Sequence, residues 1–179
     1  MKKLLLTLIG YLTIMTSIAK AENLDDTLYL ELKDGRVVIE MRPDLAPLHV
    51  ARIKELVKQK FYDGLNFHRV IGGFMAQTGD PDGTGAGGSG QKIKAEFSKE
   101  PHLRGAVSMA RNGFDVNSGD SQFFICFADA RFLDGQYTVW GKVTQGMEFV
   151  DNIKKGDPNS GSVANPDKII SMKLASDSQ

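Results

Sequence analysis

Phe67-His68-Arg69-Val70-Ile71-Gly72-Gly73-Phe74-Met75-Ala76-Gln77-Thr78-Gly79-Asp80 is the stretch on which the fold reading turns. Arg69 to Ile71 and the run from Gly72 to Gly79 are both strand-like, and two adjoining glycines lie between the apolar residues Ile71 and Phe74. Alternate residues of a strand face opposite ways. His68 therefore points away from Arg69, and Gln77 shares a face with Met75. The stretch carries one guanidinium, one amide and several bulky apolar groups. It holds neither a nucleophile-and-base pair nor a metal-ligand set. Such a site suits a neutral, partly apolar substrate that changes shape, and it suits bond-breaking chemistry poorly.

The same pattern of short strands and glycine turns extends on both sides. Thr27 to Leu32 and Arg36 to Met41 flank Lys33-Asp34-Gly35, which predicts a hairpin. Pro43-Asp44-Leu45-Ala46-Pro47 ends the second strand. From Leu48 to Lys60 the apolar positions Val50, Ile53, Leu56 and Val57 recur at helical spacing. Further strands are predicted at 106–110, 122–127, 137–143 and 169–174, with a second helix from Met147 to Lys155. Many short strands with two helices argue for a mainly β, antiparallel barrel capped by helices.

At the N-terminus, Lys2 and Lys3 precede an apolar run from Leu4 to Ile18 and then Ala19-Lys20-Ala21, the form of a cleaved export signal. The run is shorter than the roughly 20 residues a spanning helix needs. Residues 1–21 are read as the signal and residues 22–179 as one domain, exported, with the periplasm as the expected compartment. The whole chain is neutral, with 22 basic and 22 acidic residues. Loss of Lys2, Lys3 and Lys20 makes it slightly acidic. That balance offers no electrostatic case for nucleic acid or anionic membrane. Cys126, the single cysteine, lies in Gln122-Phe123-Phe124-Ile125-Cys126-Phe127 and reads as a small buried hydrophobe.

Gly83, Gly85 and Gly88 satisfy the G-x-G-x-x-G spacing, but no hydrophobic strand leads into them and no helix opens on them, as a dinucleotide site requires. The run from Asp80 to Gly90 reads as a surface loop that could border a groove. His49 and His102 read as surface residues and His68 as structural; none has a Glu or Cys at metal-ligand spacing. Asp115, Asp120 and Asp134 fall in turns. Arg69 interrupts an apolar strand, a costly place for a cation unless something holds it. A structural ion pair and a role in binding both account for it. Gln77 with Met75, and Gln122 with Phe124, each set an amide beside a large apolar group, as in a groove for a peptide backbone and an apolar ring.

Phe67-His68-Arg69-Val70-Ile71 followed by Phe74-Met75-x-Gln77-x-Gly79-Asp80 resembles the cyclophilin-type peptidyl-prolyl cis-trans isomerases. Ser108-Met109-Ala110, Ser121-Gln122-Phe123-Phe124-Ile125, Leu133-Asp134-Gly135 and Trp140-Gly141-Lys142-Val143 extend the resemblance from about Thr27 to Leu174. It implies a closed eight-stranded antiparallel β-barrel capped by two α-helices, needing no cofactor or metal. By position, Arg69 corresponds to the catalytic arginine. Phe74, Met75, Phe124 and Leu133 would line a proline pocket, and Gln77 with the backbone of Ala110 and Arg111 would hold the peptide. Gln122, Phe132 and Tyr137 complete the expected substrate site.

Phe132 and Tyr137 stand where the familiar eukaryotic members carry Trp and His, and the loop from Arg111 to Asp120 is longer by two residues. Phe132 lacks an indole N–H donor, so the resemblance does not extend to tight cyclosporin binding. The resemblance implies an isomerase with proline-containing polypeptides as partners. With the export signal, it is expected to assist folding of exported proteins. Nothing in the sequence suggests an obligate oligomer, so a monomer is expected. A proline-peptide-binding chaperone with incidental turnover is the alternative. A nucleotide-binding protein built on the glycine loop is a remote third.

Overall fold

β-Branched and leucine residues alternating with polar ones set the first hairpin of the computed structural model, which describes residues 23–178. The export-signal reading lies outside the described residues. Strand β1 (Thr27–Leu32) pairs antiparallel with β2 (Gly35–Met41), and Leu32 opposite Gly35 leaves Lys33-Asp34 as a two-residue turn. Leu28, Leu30 and Leu32 point inward from β1, while Tyr29 and Glu31 are only partly covered.

The remaining strands are β3 (Arg69–Ile71), β4 (Met75–Thr78), β5 (Ala106–Met109), β6 (Phe123–Cys126), β7 (Val139–Gln145) and β8 (Ser171–Leu174). They form one sheet in the order β3-β4-β6-β5-β7-β2-β1-β8, and every neighbouring pair is antiparallel. The expected closed barrel is corrected here: the sheet curls into an open half-barrel whose edge strands, β3 and β8, do not pair.

The reason is that both edges are already occupied. On β3, the Val70 N–H donates to Gly161 O at 2.8 Å, and the Val70 carbonyl accepts from Gly156 N at 2.9 Å. On β8, the Met172 N–H is taken by the Asp63 carboxylate at 2.9 Å. Covering an edge in this way removes a template for unwanted strand pairing. Between the edges, irregular main-chain bonds such as Phe67 N to Asp167 O at 2.9 Å draw the two ends together.

Helix α1 (Pro47–Lys58) buries Val50, Ile53, Leu56 and Val57, the stripe its periodicity predicts. His49 corrects the reading of a surface residue: it is 1% exposed. Ala46, at the helix start, makes no side-chain cap bond. Glu96 supplies the cap from a distant loop, accepting the N–H groups of Leu48 and His49 at 3.1 and 3.0 Å and the His49 ring at Nδ1 at 2.7 Å. Helix α2 (Met147–Asp151) is shorter than the run to Lys155 predicts.

Tyr62, Phe123 and Trp140 run through the main core as successive edge-to-face contacts with centroids 5.5 and 5.4 Å apart, a favoured aromatic geometry. The period of two on β6 divides the molecule. Phe123 and Ile125 enter this core, whereas Phe124 and Cys126 join a second cluster with Met75, Ala106, Ala130 and Leu133. Burial pushes the Cys126 thiol up to about 12, so it behaves as the apolar filler its sequence context predicts. The candidate site lies against that second cluster.

Candidate active site

The β3–β4 hairpin places Arg69 opposite Gln77 and Ile71 opposite Met75. Val70 and Ala76 are fully buried in the register position between them, so the arginine, the amide and the thioether share the other face. Gly73, at φ +75°, makes the turn, a conformation that costs glycine nothing. Arg69 Nη1 donates to Gln77 Oε1 at 3.3 Å and lies 4.0 Å from Met75 Sδ, while Nε donates to Ser160 O at 3.2 Å. Among the described residues Arg69 forms no ion pair. Of the two readings left open for it, the carboxylate-paired structural cation finds no partner among the described residues.

Arg69, Phe74, Met75, Gln77, Ala110, Arg111, Phe124, Phe132, Leu133 and Tyr137 surround one cavity of about 300 Å³. Phe124 meets Tyr137 edge-to-face at 5.8 Å, and the Arg111 guanidinium sits 4.5 Å over the Tyr137 ring. Phe132 stands at the rim, 66% exposed, with its ring 5.3 Å from Phe74. The Ala110 N–H is already bonded to Gln122 O at 2.9 Å, so a peptide would meet its carbonyl. Gln122 is the one predicted site residue outside this cavity. It borders an adjoining groove and accepts from Gln77 Nε2 at 2.9 Å.

His102 is the second histidine that the structure corrects. It is wholly buried, and its ring stacks on Phe124 at 6.2 Å. Asp134 Oδ1 receives both the His102 main-chain N–H at 2.8 Å and ring Nδ1 at 3.0 Å, which leaves Nε2 to meet the Ser108 hydroxyl at 3.1 Å. Those donors hold the Asp134 carboxyl below its ordinary pKa, the main-chain bond foremost. The set has the composition of a hydrolytic triad without its access. Ser108 is fully buried, and its hydroxyl sits between His102 Nε2 and Thr138 O, the latter 2.8 Å away. The set lies behind Phe124, whose ring stacks on His102.

The glycine loop turns its N–H groups onto protein rather than outward. Asp80, 1% exposed, accepts from Asp82, Gly85 and Gly87 at 2.8, 2.5 and 3.2 Å. Burial pulls the Asp80 carboxyl up, but the three main-chain donors outweigh it and leave the pKa lowered. A carboxylate thus occupies the position that a phosphate cradle would offer to ligand, and the nucleotide reading gains nothing. The loop is held further by Gln122 Nε2, which donates to Gly85 O and Gly87 O at 3.1 and 2.7 Å, and by Asp120 through Ser89 and Gly90. His68 lies beneath it, next to Gly85. Burial holds its pKa below the ordinary value against the pull of Asp80.

This loop and the 111–120 loop enclose a groove of about 570 Å³ that shares Gln77, Ala110 and Arg111 with the apolar cavity. Sequence reasoning anticipated a bordering groove but missed three supports of the site: His102, Ser108 and the Ser160 carbonyl. Asp134 lies 32 residues from His102 and Ser160 lies 91 from Arg69. No local pattern signals either pairing.

The family model described as cyclophilin type peptidyl-prolyl cis-trans isomerase/CLD matches residues 27–174. A probable peptidyl-prolyl cis-trans isomerase of Brucella suis is 52% identical over 174 residues, covering 90% of this chain and 88% of the relative. Peptidyl-prolyl cis-trans isomerase B of Bacillus subtilis is 48% identical over 132 residues, covering 72% and 91%. Among solved structures, a cyclophilin from Hirschia baltica superposes with TM-score 0.77 at 30% identity, covering 87% of this chain and 76% of that one. A Cryptosporidium parvum cyclophilin type peptidyl-prolyl cis-trans isomerase, crystallised in the presence of the dipeptide Ala-Pro, gives 0.75 at 26% identity, covering 83% and 98%.

Proposed function

This chain belongs to the cyclophilin-type peptidyl-prolyl cis-trans isomerases, and on that premise we propose that it rotates X-Pro bonds of exported polypeptides in the cavity beside Arg69. The observation that carries the catalytic assignment is the Arg69 guanidinium, free of any carboxylate among the described residues and set at the edge of an apolar cavity.

Rotation about an X-Pro bond must break amide resonance, against a barrier of roughly 18–20 kcal/mol. As the bond twists, the prolyl nitrogen regains a lone pair. Arg69 then donates a hydrogen bond to that nitrogen, a contact the planar amide cannot accept, so the twisted form is bound better than either ground state. Phe74, Met75, Phe124 and Leu133 hold the ring and exclude water. Gln77 serves twice, orienting Arg69 and anchoring the peptide backbone. The reaction moves no proton and needs no nucleophile.

The exported, periplasmic setting rests on the residue pattern of positions 1–21, with residues 22–179 as the working domain and a monomer as its state. Proline-containing polypeptides are the proposed clients; the relative crystallised with Ala-Pro supports that choice. A protease-coupled peptide isomerisation assay tests the proposal. Turnover of an X-Pro peptide is expected, whereas binding of the peptide without turnover would favour a chaperone module instead.

A further inference from the structure

Phe114 is fully exposed and Val116 is 46% exposed, two apolar side chains flanking Asp115 at the tip of the loop from Arg111 to Asp120. A single apolar residue at a surface is unremarkable; this pair differs because the loop that presents it is tied in place. The Ser118 hydroxyl accepts from Asn112 N at 2.8 Å and donates to Asp115 O at 2.6 Å, and Asn112 Oδ1 accepts from Phe114 N at 2.8 Å. Asn117 Oδ1 accepts from Ala95 N at 3.0 Å, and Lys92 pairs with Asp115 at 3.0 Å. The phenyl ring is thus held out in water by a pre-ordered loop, which spares a ligand the entropy of ordering it.

The inner side of the same loop, through Asn112, Asp115 and Ser118, lines the groove that opens from the apolar cavity by way of Gln77, Ala110 and Arg111. A prolyl residue within a polypeptide has chain on both sides, and one side must leave along this groove. An extended chain advances about 3.3–3.6 Å per residue, so residues only a few positions from the proline reach the loop. Lys92 and Asp115 pair at the groove wall, and the other charged lining groups, Arg111 and Asp120, are engaged by Gln136 O and by Ser89 and Gly90, so the apolar tip is the loop's unpartnered feature. A second copy of the chain is a poorer fit, since two side chains fall far short of the roughly 1,200–2,000 Å² that stable interfaces bury.

We infer that Phe114 and Val116 are a secondary docking point for unfolded clients, gripping an apolar side chain a few residues from the proline being turned. This rests on the isomerase reading above. The test compares the protein with its Phe114→Ser/Val116→Ser variant on two substrates: a tetrapeptide around one X-Pro bond, and a longer peptide with the same core and leucine or phenylalanine placed further out. The expected result is equal turnover of the tetrapeptide and a drop of about fivefold or more in kcat/KM on the longer peptide, carried by KM, the order expected for losing burial of part of a large apolar side chain. Equal activity on both peptides would overturn the inference. So would a change in mass by light scattering, which would mark the tip as a self-association contact. Absence of tetrapeptide turnover by the unsubstituted protein would instead sink the isomerase reading itself.

Discussion

Arg69 and Gln77 face each other across the β3–β4 hairpin, with the guanidinium Nη1 3.3 Å from the amide oxygen. The amide nitrogen of Gln77 points the other way and donates to Gln122 Oε1, and Gln122 donates in turn to the carbonyls of Gly85 and Gly87. Reversing the Gln77 amide would set a donor against a guanidinium, so the neighbours fix its orientation. The relay ties the cavity beside Arg69 to the glycine loop that borders the adjoining groove.

Removing the middle of that relay should loosen Arg69 without disturbing the core. Gln77→Ala is expected to lower kcat/KM on a short X-Pro peptide by about tenfold, the scale of a lost hydrogen bond to a charged group. Steady-state turnover and a thermal melt check this together. A variant that turns over normally would show that Gln77 neither orients the guanidinium nor holds the peptide.

Glu96 holds the start of α1 from a distant loop, so Glu96→Ala should destabilise the fold by about 2 kcal/mol, the range of a lost helix cap with its donors left unpaired. The pH dependence follows from two downward shifts. Burial raises the Glu96 pKa, but the His49 ring and the N–H groups of Leu48 and His49 outweigh it, leaving it lowered. Its contribution is therefore complete above the ordinary value of 4.5 and is lost as the pH falls further. Burial also holds the His49 pKa below its ordinary value against the pull of Glu96. The unfolded chain then takes up the His49 proton first, and stability begins to fall below the ordinary histidine value of 6.5. Melting temperature is expected to decline from near pH 6.5 downward, with Glu96→Ala flattening the steeper loss at the acid end. A profile identical to that of the unsubstituted protein would contradict the capping role.

Gly161 lies against the stem of Arg69. At φ +79° it occupies a conformation that L side chains rarely adopt, and an added Cβ would come within 2.7 Å of Ile71 Cγ1 and 2.9 Å of Arg69 Cγ. Gly161→Ala is expected to cost about 1–3 kcal/mol in backbone strain and also to lower turnover by moving the arginine stem. Turnover preserved alongside a lowered melting temperature would mean that the loop can give way without carrying Arg69 with it.

The elements that the sequence foretold are those whose cause is local. Val50, Ile53, Leu56 and Val57 mark α1 by their spacing, and alternating residues mark β1 and β2. The assignment of the candidate site residues came from the family resemblance and not from local pattern, and ten of the eleven line one cavity. The failures share a different cause. His49 and His102 look like surface residues until Glu96 and Asp134, 47 and 32 positions away, are brought to their ring nitrogens. The open edges of the sheet depend on Gly161 and Asp63 reaching β3 and β8 first, and no strand pattern encodes that competition. Arg69 fell between the two cases. Its presence in an apolar strand was visible at once, but only the fold shows an amide, a thioether and a carbonyl around it.

The central claim is that the Arg69 guanidinium stabilises the twisted X-Pro bond, and the most direct measurement is kcat/KM for a short X-Pro peptide with the unsubstituted protein and Arg69→Ala side by side. The account predicts a loss on the order of a hundredfold, the scale of removing one donor aimed at a transition state, with the thermal melt and far-UV spectrum little changed. Near-normal turnover by a folded Arg69→Ala protein would contradict it.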